Sequence, residues 1–435
     1  MAQLYPFNDP VVVETEQPLL IDRGDGIRVR DTDGRSYIDA VSALWCASLG
    51  FTPSRLTRVM AEQMGQLAYY HSFLGRAPAL TDQLAARLVA RMPGMARVFF
   101  GTSGSEAVET AAKIVRYYWA ARGQGERQRI IARDGAYHGS GQVSAALTGM
   151  GYCHTGFSLP LSSVLRTGRP HYKRDAEPGE TELAFSKRRA RELDALITQE
   201  DAGTIAAFIG EPAMGAGGVI LPPDGYWSAV QEVLAKHGIL LIADEIICGF
   251  GRTGQWFGCE TWGIHPDLMT VAKQMTASVF PMSAVAMRAE IYEALKPLAH
   301  EVGTFGHGVT YGGHPVGAAV ALECLDIYEE MGLPAHVARL GARIAAGLAP
   351  LATAPGVLDV RCQGMLAALE CETDQQAQAI GAAAVARGVF FRIIGPVVAI
   401  APPYICTEAD IDQIMGVLAQ AVAVSFAVPA DAVQP

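Results

Sequence analysis

The chain has 435 residues, half of them hydrophobic, with 34 Lys+Arg against 44 Asp+Glu and a formal net charge of −10. That apolar content can bury a sizeable core, expected as a large lobe with a smaller one, while the acidic balance and the lack of a basic stripe exclude nucleic acid as a general partner. Eight scattered cysteines without a C-x-x-C pair exclude a zinc site and a disulfide framework, so no metal is expected.

Residues 1–7 lack the basic and apolar regions of a secretory signal, and no apolar stretch reads as long and uninterrupted enough to span a bilayer. The expectation is a cytoplasmic protein with no membrane partner. Between Ile27 and Tyr37 the pattern is that of a hairpin with Asp33 and Gly34 at its turn, expected to pack with the C-terminal part. Next comes an apolar strand, residues 97–100, a run of small residues, 101–105, and a helix-periodic stretch, 106–119. Strand, small-residue turn and helix present free backbone N–H groups and a positive helix end to an anion. Ser103 and Ser105 can add hydroxyl donors there, and Gly104 lets the backbone approach a phosphate. This is no Walker motif, because its Gly-Lys-Ser/Thr ending is absent.

Residues 173–180 are polar and are expected to form an exposed excursion. Residues 204–210 read as an apolar strand ending at Glu211, and residues 239–243 as one ending at Asp244. A short continuous apolar run of this kind suits a strand buried on both faces of a parallel sheet, and open α/β sheets hold ligands at the carboxyl ends of such strands. Lys273 follows a third run, 268–272. A strand-end lysine alone usually reaches out to solvent, and Asp-Glu after a strand is usually a cap or turn. Together they suggest more: a buried amine is neutral enough to attack a carbonyl, and a carboxylate can keep a pyridine nitrogen protonated. The pair points to pyridoxal phosphate. After about Leu325 the pattern changes to a helix, 337–351, and short strands at 357–362, 365–369 and 397–401, which suits a compact α+β unit. From about Ala427 the tail is expected to fray.

Six blocks carry a family resemblance: residues 101–107, 137–139, 211–218, 244–254, 272–275 and 307–315. In their order and content the chain resembles the class III, fold-type-I pyridoxal-phosphate aminotransferases, and within them the amine:pyruvate or omega-amino-acid:pyruvate group, from Tyr5 to about Asp412. The resemblance implies an α/β fold with a mostly parallel central sheet flanked by helices in a large domain, 59–325. A smaller α+β domain would come from an N-terminal segment, 1–58, and a C-terminal one, 326–435. It implies that Lys273 carries the cofactor as a Schiff base and that Tyr137 and Ile246 sandwich its ring. His138 would touch the cofactor and Glu211 would belong to the polar network around the ring. Thr310 would reach the phosphate from a neighbouring subunit, making the active site complete only in a homodimer or dimer of dimers; the alternative is a threonine capping the helix that begins near Pro315.

The same resemblance places Leu44, Trp45 and Phe73 at the substrate pocket and matches Arg392 to a mobile arginine that pairs with a carboxylate. Where the family often has Asp after Gly395, Pro396 stands here, which leaves that arginine's loop open to question. The implied activity is ping-pong transfer of an amino group from a primary amine or omega-amino acid to a 2-oxo acid, expected to be pyruvate, with pyridoxamine phosphate as the alternate form of the cofactor. Aminomutase, racemase and decarboxylating-transaminase chemistry on the same fold are the alternatives.

Overall fold

The computed structural model describes residues 2–427; beyond Ala427, the tail expected to fray lies outside them. A seven-stranded sheet forms the centre, in the order Arg97–Gly101, Ser283–Met287, Leu268–Val271, Leu240–Asp244, Ile205–Gly210, Arg129–Arg133 and Val164–Thr167. Only Ser283–Met287 runs against its neighbours; the other pairings are parallel. The fold is the mixed α/β type with a mostly parallel central sheet.

The continuous apolar runs have a direct structural cause. Leu241 and Ala243 feed the core on one face, while Leu240 and Ile242 feed a second core on the other. Side chains alternate along a strand, so two covered faces demand apolar residues at every position. On the second face lies helix Gly104–Ala121, which buries Val108, Ala111, Ala112 and Val115, a spacing that places them along one stripe. Its cap is Ser103, whose hydroxyl accepts from the Glu106 N–H at 3.2 Å.

Both chain ends build the remaining sheets. Strands Ile21–Asp25, Arg28–Asp31 and Ser36–Asp39 form an antiparallel set with its turn around Asp33 and Gly34, and Val389–Phe390 joins it in parallel beside Ile38 and Asp39. A third sheet runs Val357–Gln363, Leu366–Cys371, Val397–Ile400, Arg392–Ile394. Against it pack helices Leu333–Leu348 and Asp374–Val385, and helix Glu408–Ala427 packs on both of them. The last helix corrects one sequence reading: residues 408–426 are long and apolar enough, with mean hydropathy 1.2, to pass a test of length and composition for a membrane span. That composition has a local reason, since Ile411, Ile414, Leu418 and Ala421 are buried in the C-terminal core.

The polar excursion is also more than an exposed loop. His171 Nε2 meets Glu370 Oε2 at 3.1 Å and Arg174 also pairs with Glu370, which sits on the Leu366–Cys371 strand at 1% exposure. Arg361 donates to Glu370 at 2.6 Å and to the carbonyls of Val219 and Gly218 at 2.7 and 2.6 Å. Burial alone would raise this carboxyl, but the His171 hydrogen bond, the Arg361 charge and the Arg174 hydrogen bond outweigh it and hold Glu370 well below the usual carboxylate range. A carboxyl with a depressed folded value contributes stability that is complete above its unfolded value, about 4.3, and is lost as pH falls below it. Glu370→Gln is therefore expected to lower stability by roughly 3 kcal/mol at pH 7 and to flatten the loss of melting temperature between about pH 5 and pH 3; parallel melts of parent and variant across that range check it.

Candidate active site

The carboxyl ends of Leu240–Asp244, Ile205–Gly210 and Leu268–Val271 open on one cleft of about 690 Å³, closed on its other side by the N-terminal segment and the strand that carries Arg392. Lys273 lines this cleft, as do Asp244, Glu211, Tyr137, His138, Ile246, Ser103, Gly104, Ser105, Leu44, Trp45 and Arg392. Thus 12 of the 14 residues singled out from sequence converge on one cavity. Phe73 and Thr310 do not.

Lys273 directly follows Ala272 with a positive φ of 41°, which turns the chain out of the sheet. Burial pushes its amine below its ordinary range, and Cys46, Asp244 and Glu211 pull it partly back. Asp244 is 3% exposed and receives three donors. His138 Nδ1 lies 2.7 Å from Oδ2, while Thr270 Oγ1 at 3.1 Å and the Ile246 N–H at 3.2 Å reach Oδ1. An ionised carboxylate only accepts, so Nδ1 of His138 carries the hydrogen. His138 Nε2 is buried and has no hydrogen-bond partner among the described residues.

Glu211 braces the loops on either side of the cleft: Oε1 accepts from the Tyr137 N–H at 3.2 Å and Oε2 from the Gly215 N–H at 2.8 Å. Burial raises its carboxyl; His138 and Arg133 oppose the shift and Asp244 adds to it. Glu245, next to Asp244, turns away to accept from the Gly258 and Cys259 N–H groups at 2.9 and 2.6 Å, and burial lifts it to about 7. Gly104 has a reason beyond anion approach: a Cβ there would lie 2.9 Å from Ile246 Cδ1. The glycine leaves room for the side chain expected against the cofactor ring. Ser103 is occupied as the helix cap, and Ser105 Oγ accepts from the Ser140 N–H at 3.0 Å.

Trp45 is both core and wall. It is 3% exposed yet lines the cleft, at the end of a turn in which Ser42, Ala43 and Trp45 all have positive φ. The Arg392 guanidinium lies over its ring at 5.0 Å, within cation–π range. Burial lowers the Arg392 pKa, although a guanidinium stays charged. Pro396 is accommodated: Gly395 turns at φ 54°, and the Pro396 carbonyl accepts from the Cys371 N–H at 2.8 Å.

Phe73 is 41% exposed, packs beside Gly308 and lines a separate hollow with residues 304–309. Thr310 stands near it, its carbonyl accepting from the Tyr69 hydroxyl at 2.8 Å. Thr310 does not cap the following helix, because His314 does, accepting from the Val316 N–H at 3.2 Å. Among the lining or bracing residues not found from sequence are Phe7, Cys46, Tyr152 and Thr270. Phe7 meets both Tyr137 and Tyr152 edge-on at 6.3 Å, a contact between distant segments that no local pattern encodes. Thr270 was findable, as the one polar residue inside an apolar strand three positions before Lys273.

These groups suit a pyridine ring bearing an aldehyde and a phosphate. The buried carboxylate, the amine of depressed pKa and the orphaned His138 Nε2 face one cavity whose other wall is a small-residue turn at a helix N-terminus. Comparison with known proteins agrees: the family model "Aminotransferase class-III" matches residues 11–422. The chain belongs to the class III aminotransferases, enzymes that use pyridoxal phosphate. It is 42% identical to an uncharacterized aminotransferase, y4uB, of Sinorhizobium fredii, over 96% of this chain and 94% of the other. It is also 42% identical to the chloroplastic gamma aminobutyrate transaminase 3 of Solanum lycopersicum, over 92% and 79%. An omega transaminase from Pseudomonas jessenii, solved in complex with PMP, superposes with a TM-score of 0.96 at 40% identity, covering 98% of this chain and 96% of that one.

Proposed function

We propose that this chain is an omega-transaminase that moves an amino group from a primary amine or omega-amino acid to a 2-oxo acid, with pyruvate as acceptor, in a ping-pong cycle. The observation that carries this reading is Arg392, a cation in an otherwise largely apolar substrate region, stacked on Trp45 and without a carboxylate partner among the described residues. An arginine parked on an aromatic face can leave it to grip a carboxylate bidentately, and the apolar wall it vacates or covers suits an uncharged amine. Relatives named for gamma-aminobutyrate and a related transaminase solved with L-alanine, the amine counterpart of pyruvate, support the same classes.

When bound, pyridoxal phosphate supplies an aldehyde that takes up the amino group and a cationic ring that withdraws electrons from the substrate carbon. Lys273 Nζ would hold that aldehyde at rest and, when free, would take a proton from the amine-bearing carbon of the substrate and later return one. Asp244, oriented by His138 and Thr270, would hold the proton on the ring nitrogen. Tyr137 and Ile246 would hold the ring's faces, and the backbone of residues 103–105 would receive the phosphate. Leu44 and Trp45 exclude water from the reacting carbon. Phe73 and Thr310, lying outside this chain's own cleft, are assigned to the cleft of a partner subunit, which makes the working unit a dimer.

The test is the visible spectrum of the cofactor-loaded protein. Amines without a carboxylate should bleach the band in the absence of any oxo acid, and pyruvate should restore it. A band that no amine bleaches turns the assignment toward aminomutase, racemase or decarboxylating chemistry. Arg392→Ala is expected to raise KM for pyruvate by about 10- to 100-fold, the worth of a charge-assisted pair, while KM for an amine lacking a carboxylate moves less than about threefold. Steady-state kinetics with both substrates varied separates the two; equal effects on both would remove Arg392 from carboxylate recognition.

A further inference from the structure

Lys273 sits at φ 41°, a left-handed conformation that costs a residue with a Cβ on the order of 1–2 kcal/mol. Such a conformation persists only where its surroundings over-determine it. Three bonds close the turn from within, Met275 N–H to the Ala272 carbonyl at 2.9 Å, Ala277 N–H to the Gln274 carbonyl at 3.1 Å and Ser278 N–H to the Lys273 carbonyl at 3.1 Å. Others come from elsewhere in the molecule. Gln274 Nε2 donates to the Ile247 carbonyl at 3.0 Å, and the Gln274 carbonyl accepts from the Tyr328 hydroxyl at 2.7 Å.

Tyr328 lies on helix Pro315–Glu330 and is fully buried. Its hydroxyl is 2.6 Å from Ser48 Oγ. A carbonyl can only accept, so the single proton of Tyr328 goes to Gln274, and Ser48 donates to the Tyr328 oxygen. The Ser48 carbonyl in turn accepts from the Tyr404 N–H at 2.8 Å. A chain of buried hydrogen bonds thus runs from the C-terminal segment through the N-terminal one and the 315–330 helix to the residue after the lysine. Ser48, Tyr328 and Tyr404 do not line the cleft.

We propose that Tyr328 and Ser48 are positioning residues, which hold the strained backbone of Lys273 and thereby aim its amine, linking that aim to the seating of both chain ends. The proposal rests on the assignment of Lys273 as the cofactor lysine. Neither hydroxyl touches substrate. What they protect is geometry: a proton-transferring amine displaced by about 1 Å loses on the order of 10²-fold in rate, and a site keeps its precision only when its supporting contacts are locked.

Tyr328→Phe keeps the ring and deletes one oxygen, leaving the Ser48 hydroxyl without its acceptor and the Gln274 carbonyl with only the Ala277 N–H at 3.1 Å. Full-chain protein should show kcat lowered by about 10-fold or more with KM for amine and oxo acid within about twofold, because binding groups are untouched. Amide deuterium uptake of a peptide covering 273–279 should rise in both the cofactor-free and the loaded protein, while peptides over strand Arg129–Arg133 and helix Gly104–Ala121 keep parent uptake. Ser48→Ala, which spares the Tyr328 bond to Gln274, should move both readouts the same way by less. Parent kcat and parent uptake at 273–279 in both variants overturn the proposal, and so does uptake that rises evenly over the whole chain, which marks general loosening. If Tyr328→Phe does not fold, Ser48→Ala decides alone, and its matching the parent in both readouts overturns the proposal. A Lys273→Ala protein that kept the parent's visible band would fail the lysine assignment instead; the exchange measurement on cofactor-free protein tells that failure apart.

Discussion

Lys273→Ala is expected to abolish turnover, by at least about 10⁴-fold, and to erase the visible band of the cofactor-loaded protein while its melting temperature without cofactor stays at or above that of the parent. The size follows from losing two roles at once, the covalent hold and the proton transfer, the second alone being worth about 10²–10⁴-fold. The preserved or raised stability follows from the environment. Burial depresses the Lys273 amine, so in the cofactor-free protein charging it at neutral pH costs folding free energy that alanine does not. Absorbance, single-turnover kinetics and melts of the cofactor-free proteins check the three parts separately. Normal turnover in the variant sinks the mechanism.

Asp244→Asn is expected to lower kcat by about 10³-fold, the scale of removing one preorganised electrostatic partner from a site of developing charge, with KM for the amine changed far less. An asparagine can still accept from Thr270 and the Ile246 N–H at the position now held by Oδ1, so the turn after the strand should survive. What it cannot do is hold a proton on a ring nitrogen as an anion does. The His138 Nδ1–H, now 2.7 Å from a carboxylate oxygen, loses a charge-assisted partner. Cofactor affinity is expected to fall along with kcat, and equilibrium dialysis of the cofactor measures that independently of turnover. Parent-level kcat would falsify the assignment of Asp244 to the ring nitrogen.

Much of the central sheet was legible because its signals are local. Residues 239–243 and 205–210 are apolar at every position, which only two covered faces require, and the end of each run marks where Asp244 and Glu211 emerge. The same holds for the strand, turn and helix at 97–121, whose cap Ser103 and small residues are adjacent in the chain. Trp45 was ambiguous from sequence because a tryptophan in a core and one in a pocket wall look alike; the strained turn of residues 42–45 makes it both. The 173–180 excursion read as plain surface because its anchor, Glu370, is some two hundred positions away. The last helix passes a test of length and composition for a membrane span, yet its apolar face is set by neighbours in the C-terminal core.

By itself, then, the sequence determined the α/β class, the family and the cofactor, and pointed to a lysine and an aspartate that suit it, since each rests on residues close together in the chain or on blocks whose order is readable. Tertiary structure alone decided which distant side chains share the cleft. It stacked Arg392 on Trp45, brought Phe7 to Tyr137, set Thr270 and His138 on the two oxygens of Asp244, placed Phe73 and Thr310 outside this chain's cavity, and hung the Lys273 turn on Tyr328 and Ser48. The reason is physical: burial, hydrogen-bond partnership and ring stacking are properties of pairs brought together by packing, and no local pattern carries the identity of a partner hundreds of residues away.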